Sequence, residues 1–417
     1  MTGTPRRNLA FTIAGIGAAT GAAHIGNNFT TYLVGGLIDR FGFTPVQMGA
    51  WSMAETLAYA AAMFLIAPRA QAMSARMLAI VATVVVVAAQ AWSAGLMLYA
   101  PLLAGRLATG FGFGLMNSAV NLAAGRTDHP ARAISAGIAF QTVLFAAVNI
   151  GLPVIGARHG VAGMFVALAG LSALLGVGAL LLPGGGAARV AVLSIRAAGE
   201  PVDAEAKRIG ADGLRVLAAM ALFAFGSLAI WPFMERAAHA IGLPATRFGQ
   251  YQSLATLLSA LGNLGLVAIV ARLPRAWPMA LALGTCGIAC ALLTTVPSAG
   301  AFAAALVLYN VSWFITYPLL LGLAYSTDGT GRLAVMTTGT WLLSQSFGSL
   351  GAGIIAQAFG GYQPIGPMGL AACIAAIAIA WPLARGLDRQ GRTAQPEPEP
   401  ELGEGGAYPS PAPVSHG

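Results

Sequence analysis

The sequence predicts an all-α polytopic membrane protein, with twelve transmembrane helices in two six-helix halves that form a parallel repeat. Three observations lead there. First, 57% of the 417 residues are hydrophobic and only 9% are charged, whereas a soluble domain carries about 25% charge. Second, apolar runs of about 20 residues, the length that crosses a bilayer core, recur between short polar breaks. Third, basic residues alternate from loop to loop as membrane orientation demands. Mean hydropathy, at +0.75, agrees.

The spans follow from charges and helix breakers, taken in order. Span 1 (9–37) begins after Arg6 and Arg7 and stops before Asp39 and Arg40. Its apolar run is far longer than the core of a secretory or twin-arginine signal, so it is expected to remain as a helix. Span 2 (46–67) lies between Pro45 and Pro68; span 3 (76–98) and span 4 (101–124) follow, closed by Arg126. Spans 5 (132–157) and 6 (161–182) are parted by Arg158, His159 and Gly160. After a polar stretch come spans at 214–235, 246–271, 276–296, 299–325, 331–358 and 363–384. Pro153, Pro232 and Pro318 fall inside spans, where membrane helices tolerate bends.

Orientation tests the count. With the N-terminus inside, 17 basic residues fall in loops that should be cytoplasmic and 4 in loops that should not. A missed or extra helix would scramble this alternation, so both termini are expected in the cytoplasm of a cell with a bacterial-type inner membrane. The chain divides into an N-terminal bundle (1–182), a cytoplasmic linker (183–212), a C-terminal bundle (213–385) and a tail (386–417) rich in Pro, Glu and Gly. Such a tail cannot bury a core and is expected to be disordered.

The two halves repeat at an offset of 200 residues. Gly42 and Gly49 recur as Gly242 and Gly249, Asp128 and Arg132 as Asp328 and Arg332, and Gly151, Ile155 and Gly160 as Gly351, Ile355 and Gly360. Six helices is an even number, so each half starts from the same side of the membrane.

Ionisable groups inside a bilayer are costly, and each is a functional candidate. Glu55 lies about nine residues into span 2, or roughly 14 Å deep at 1.5 Å per residue. Arg106 lies in span 4 and His24 in span 1. Burial and a neighbouring guanidinium act oppositely on a carboxyl's hold on its proton. A Glu55–Arg106 contact that forms and breaks would therefore load and release a proton, with His24 as relay. The alternative is a static pair locking spans 2 and 4, and a His24 bonded to a backbone carbonyl.

Uncharged polar groups form a second set. They are Asn27, Asn28, Asn117, Asn121, Gln141 and Asn149 in the first half, and Tyr309, Asn310, Trp313, Tyr317 and Gln345 in the second. Such residues line a wet cavity or glue helices together. Tyr309, Trp313 and Tyr317 recur every fourth residue and share a helix face, which is either a binding wall or packing. Trp51 and Trp231 are expected as interfacial anchors. Glu235 and Arg236 read as a solvated helix end or an outer gate.

Other chemistry is unsupported. Cys286, Cys290 and Cys373 lie in apolar runs without zinc or disulfide spacing. No phosphate-binding loop, metal-ligand pair or serine–histidine pair is placed, so no enzyme activity, metal or cofactor is expected. The net charge of +8 sits in short loops, a pattern of membrane topology and not of a nucleic-acid surface. Partners are then the bilayer, a small solute and a proton, with the protein a monomer.

Taken together the chain resembles the major facilitator superfamily over about residues 9–385. Arg106, Gly110, Gly112 and Gly114 are similar to its Arg-xxx-Gly-x-Gly signature in span 4. Asp128–Arg132 and Asp328–Arg332 resemble its cytoplasmic loops, where they would latch the inner face. Gly151 and Pro153 loosely resemble an antiporter motif in span 5. The usual loop between spans 2 and 3 is eroded here between Pro68 and Arg76, and Gly36 to Arg40 resembles it only by coincidence, on the wrong side. The resemblance implies a secondary transporter whose halves rock around a cavity lined by spans 1, 4, 7 and 10. It implies coupling to protons through Arg106, and a small organic solute, organic anions and metabolites included. A drug or metabolite efflux antiporter of the same fold is the alternative; a transport-inactive sensor or membrane enzyme is a more distant one.

Overall fold

The structure, a computed structural model, describes residues 5–67, 73–127, 130–184, 209–269, 274–328 and 332–393. Most of the linker and the tail beyond residue 393 lie outside these. Among the described residues there are twelve α-helices and no strand. They are α1 (Pro5–Phe41), α2 (Pro45–Ile66), α3 (Ala75–Ala94), α4 (Tyr99–Ala124), α5 (Pro130–Ala179), α6 (Ala211–Ala229), α7 (Met234–Ala240), α8 (Ala245–Ile269), α9 (Ala276–Thr295), α10 (Ala299–Thr327), α11 (Arg332–Ala358) and α12 (Ile365–Thr393). Seven helical stretches among them meet both the length and the hydropathy needed to cross a membrane.

Two of these elements differ from a one-span, one-helix plan. α5 contains spans 5 and 6, joined through a left-handed Gly160. Its legs run in opposite directions along α1: a Cβ on Gly21 would touch Leu144 of one leg and Leu175 of the other, while Gly36 meets Val161 and Gly15 meets Leu182. Span 7 is broken instead. A 3-10 turn at Trp231–Phe233, with Pro232 inside it, separates α6 from α7. Proline removes a ladder hydrogen bond there, so the chain is re-aimed without a loop. α12 runs to Thr393, past the span end expected at 384.

The 200-residue repeat is visible in the backbone. Among the described residues Gly42, Gly160, Gly242 and Gly360 are those with positive φ, at 66°, 64°, 77° and 66°. Each reverses the chain between consecutive spans at the same face of the molecule, called here the turn face. L side chains resist this conformation, which is why glycine recurs at both members of each pair. After Gly42 the chain re-enters helix at once: Thr44 caps α2 and exchanges bonds with Gln47 in a capping box, with Pro45 in the first turn.

Within the first half α1 packs on α5, and α2 and α3 pack on α4. In the second half α6 packs on α11 and α12, and α8 on α10. The halves meet along two seams, α2 with α11 and α5 with α8. The seams are built from small residues. A Cβ on Gly49 would lie 2.5 Å from the Ser349 carbonyl oxygen, and one on Gly249 would lie 2.9 Å from Pro153 Cγ. Backbones that approach this closely gain dispersion contacts that lipid tails cannot match.

Candidate functional site: a buried ion pair at the junction of the halves

Glu55 and Arg106, single charges on adjacent helices, meet. Arg106 Nη1 lies 2.6 Å from Glu55 Oε2, with both side chains almost fully buried. Arg106 Nη2 donates to Thr30 Oγ1 of α1. The guanidinium lies over the Trp51 ring, 3.8 Å from its centroid, and the Trp51 indole N–H donates to the Leu102 carbonyl at 3.2 Å. Trp51 is therefore not an interfacial anchor. It is 1% exposed and forms the floor of the Arg106 site. A cation over a desolvated indole gains about 2 kcal/mol, which offsets part of the cost of burying the charge.

Glycines make room for the pair. A Cβ on Gly110 would come within 2.8 Å of the Glu55 Cα, and one on Gly26 within 2.6 Å of its Oε1. Gly112 faces Val86 on α3, and Gly114 faces Tyr59 and Ala62 on α2. The span 4 signature thus works as a helix-packing surface: its arginine holds the charge and its glycines let α2 and α3 close on α4.

The pair is incompletely bonded. Glu55 Oε2 and Arg106 Nε are buried without a hydrogen-bond partner. The Nη1–Oε2 contact is short but poorly aligned, so charge attraction holds it in place of a well-formed hydrogen bond.

Glu55 also lines a cavity of about 100 Å³. α1 gives Ala23, His24 and Asn27 to its wall, α2 gives Glu55, Thr56, Tyr59 and Met63, α4 gives Phe113 and Asn117, and α11 gives Thr338, Trp341, Leu342 and Gln345. Of the residues singled out in the sequence, His24, Asn27, Glu55, Asn117 and Gln345 come together here. His24 Nδ1 is 2.9 Å from the Thr20 carbonyl one turn back. Asn117 donates to Met63 Sδ. Asn27 Oδ1 accepts from Gln345 Nε2 at 2.7 Å, across the junction of the halves. Arg106 stands behind Glu55 and contributes nothing to the cavity wall.

Other expected wall residues are elsewhere. Spans 7 and 10 give no residue to this cavity. Tyr309 is buried with its hydroxyl on the Ser227 carbonyl of α6, and Asn310 bonds Gln252 of α8. Trp313 stacks on Tyr317 at 5.9 Å, and both abut Trp341. They form a layer behind the wall because α11 stands between α10 and the cavity. Asn28 bonds its own helix at His24. Gln141 is half-buried on α5. Asn149 accepts from Tyr32 at 3.1 Å and reaches Thr256 of α8 at 3.5 Å, so it lies in the α5–α8 seam. Pro153 lies in that seam too, against Gly249, while nothing lies within 4 Å of a Cβ on Gly151. Asp328 caps α11 through the Leu333 N–H; Asp128 and the side chains of Arg132 and Arg332 lie outside the described residues.

Toward the turn face the halves are pinned together. Thr56 and Ser346 share a 2.6 Å hydroxyl contact. The Trp231 indole N–H donates to the Asn27 carbonyl at 2.6 Å, so it too is no interfacial anchor. Beyond them Arg236 donates to both oxygens of Asp39, at 2.6 and 2.8 Å, and to Glu235 at 2.8 Å. The Glu235 backbone N–H is held by Thr31 Oγ1. Glu235 and Arg236 are 3% and 7% exposed, so they are no solvated helix end. Asp39, set aside in the sequence as a coincidental motif, is their partner across the junction.

Sequence reasoning missed Thr56, Tyr59, Met63, Trp341 and Ser346. One signal was there: Tyr59 and Met63 follow Glu55 at helical spacing, and Gln345 follows Trp341 at the same spacing, so each set shares a face.

Solved structures with the same architecture are several. A nucleoside transporter, NupG, superposes with a TM-score of 0.65 at 14% identity, covering 90% of this chain and 98% of that one. A D-xylose–proton symporter gives 0.63 at 15%, covering 88% and 96%. A bacterial homologue of the human lysosomal transporter Spinster, inward-facing and unoccupied, gives 0.66 at 14%, covering 94% and 98%. No curated protein sequence matches significantly. The sequence profile of one family covers residues 11–337, and with the multi-pass helical fold described above it places this chain in the Major Facilitator Superfamily.

Proposed function

We propose that the protein is a proton-coupled secondary active transporter that moves a small organic solute across a bacterial-type inner membrane by alternating access. Both termini are cytoplasmic, so the turn face is the outer face and is closed in this conformation. Glu55 is the proton carrier, and Arg106 is the partner it holds or releases.

The observation that carries this reading is the Glu55–Arg106 contact at a cavity wall, short but with Glu55 Oε2 and Arg106 Nε lacking hydrogen bonds. A purely structural buried pair survives best when every donor and acceptor is satisfied. An under-bonded pair facing a cavity is cheaper to exchange. Protonating Glu55 removes the charge that attracts Arg106, and leaves the guanidinium on Thr30 and Trp51. The helices bearing these groups, α1, α2 and α4, include one that forms a seam, since α2 packs directly on α11. Loss of the pair is therefore felt where the halves meet.

The test is internal pH in proteoliposomes of purified protein, challenged with a panel of organic acids, amines, amides and sugars. Proton movement evoked by one compound class, and lost in Glu55→Gln, is the expected result. Uptake of a labelled solute without proton movement would reduce the pair to a structural tie.

A further inference from the structure

We infer that the outer edge of the α9–α12 pair holds one anionic phospholipid, with its phosphate on Arg385 and an acyl chain in a slot between the two helices. This needs only the membrane-spanning fold and is independent of proton coupling.

α8 leaves the turn face after Gly242, and α12 leaves it after Gly360. The start of α9 and the end of α12 therefore meet at the opposite face. Trp277, in the first turn of α9, packs edge to face against Trp381 of α12, with ring centroids 4.8 Å apart. Trp277 is 65% exposed. The pair stands where the apolar run of α12 ends at Arg385, the level at which indole rings lie among lipid headgroups. The Arg385 guanidinium lies over the Trp381 ring, 5.2 Å from its centroid.

Positive charge is in excess at this edge. Asp388 is the nearby carboxylate, but its two oxygens accept from the backbone N–H groups of Arg275 and Ala276, at 2.8 and 3.0 Å. It thus serves the N-terminus of α9, and its remaining attraction goes to the Arg275 guanidinium at 3.8 Å. Arg385 is exposed, and among the described residues it makes no ion pair or hydrogen bond. A guanidinium lying over a ring keeps its N–H edge open, and that edge suits a phosphate bonded by two donors at once.

Deeper in the bilayer the surface is apolar and grooved. On α9, Leu281 and Ile288 follow Trp277 along one exposed face. On α12, the exposed Ile374 lies two turns before Trp381. Between the two rows sits Gly284, where a Cβ would meet only Ile377 Cδ1, at 3.9 Å. The missing side chain leaves a slot along the seam, leading from the ring pair toward the bilayer centre. A free anion makes no use of this slot. Phosphatidylcholine fills it but brings its own ammonium toward Arg275 and Arg385. Phosphatidylglycerol suits both the charge and the slot.

The test is native mass spectrometry of the full-length protein in detergent, titrated with phosphatidylglycerol or with phosphatidylcholine of the same acyl chains. Phosphatidylglycerol is expected to fill one site about fivefold more tightly, the worth of one basic side chain at an anionic headgroup. Arg385→Gln should erase that preference, and Trp277→Ala should weaken both lipids alike. Arg215→Gln removes an exposed arginine, paired with Asp212, at the same end of the bundle, and should leave the preference as in the parent. If Arg215→Gln lowers it as much as Arg385→Gln does, the attraction is that of a basic protein in general and the site is overturned. Equal binding of the two lipids by the parent would overturn it too. Displacement of phosphatidylglycerol by millimolar inorganic phosphate would mark a free-anion site instead. A protein dimer that disappears in Trp277→Ala would give the face to a second copy of the chain and likewise overturn the lipid.

Discussion

Arg236 of α7 holds Asp39 of α1 by two parallel hydrogen bonds of 2.6 and 2.8 Å across the junction of the halves. The geometry is the bidentate one that suits arginine to a carboxylate. Glu235 bonds the same guanidinium, and Thr31 holds the Glu235 backbone. The cluster therefore ties α1 to α7 at the turn face. The Asp39 side chain is 60% exposed, so solvent screens its share. Asp39→Asn should cost the closed turn face about 1 kcal/mol, and so raise the turn-face-open population about fivefold. Spin labels at the exposed positions His159 and Arg247, on opposite halves, would report it as a second, longer distance. An unchanged distance distribution would show that the bonds do not hold the face shut.

The buried pair should respond to mutation quite differently. Arg106→Ala strands the Glu55 charge and opens a space over Trp51. Breaking one side of a buried pair costs about 3–5 kcal/mol, so thermal unfolding in detergent should shift down sharply. Glu55→Gln keeps the shape but leaves the Arg106 charge unpaired, held only by Thr30 and Trp51, so it should also lower thermal unfolding, by less than Arg106→Ala. Its main expected defect is in transport: solute exchange without a gradient persists, while gradient-driven accumulation is lost. Wild-type accumulation in Glu55→Gln would remove Glu55 from the coupling reaction.

Glycines of the first half should separate by neighbour. Gly110→Ala drives a methyl into the Glu55 backbone, which cannot retreat as a side chain can. α2 must shift, and with it Glu55 and the cavity wall. Transport is expected to fall by about tenfold or more, consistent with about 1–3 kcal/mol of overpacking. Gly151→Ala meets open space and should transport as the parent does. Equal effects from the two would mean that helix contact is not what the span 4 glycines provide.

The repeat makes a paired prediction. Gly49 faces the Ser349 carbonyl, and Gly249 faces that of Asn149, so the contact 49–349 has its counterpart in 249–149. Both contacts lie in the seams that join the halves. Gly49→Ala and Gly249→Ala should each wedge a seam and move the same His159–Arg247 label distance in the same direction. Opposite shifts, or an effect from one alone, would argue that the two seams do not open together.

Much of this architecture was legible in the residues. The span ends follow charges and prolines, because a charge or a broken backbone ladder inside hydrocarbon is expensive. The repeat at 200 residues showed in glycines that the structure places at one face with positive φ. Glu55 and Arg106 stood out because so few charges occur inside spans. The partners of those charges did not stand out. Trp51 and Trp231 looked like interface anchors, and Asp39 like a coincidental motif residue; each proved to make a contact across helices, buried at Trp51, half-buried at Trp231 and largely exposed at Asp39.

By itself the sequence determined the order of the apolar spans and most of their limits, since bilayer thickness and backbone hydrogen bonding leave few alternatives. It did not determine that spans 5 and 6 share one helix or that span 7 is broken at Trp231–Phe233. Only the tertiary structure decided which faces meet. A helix that is apolar all round carries no periodic signal for its inward side, so facing is set by packing at small residues such as Gly110, Gly49 and Gly249. That packing put α11 in the cavity wall with Glu55, in place of α10, and laid Trp51 beneath Arg106.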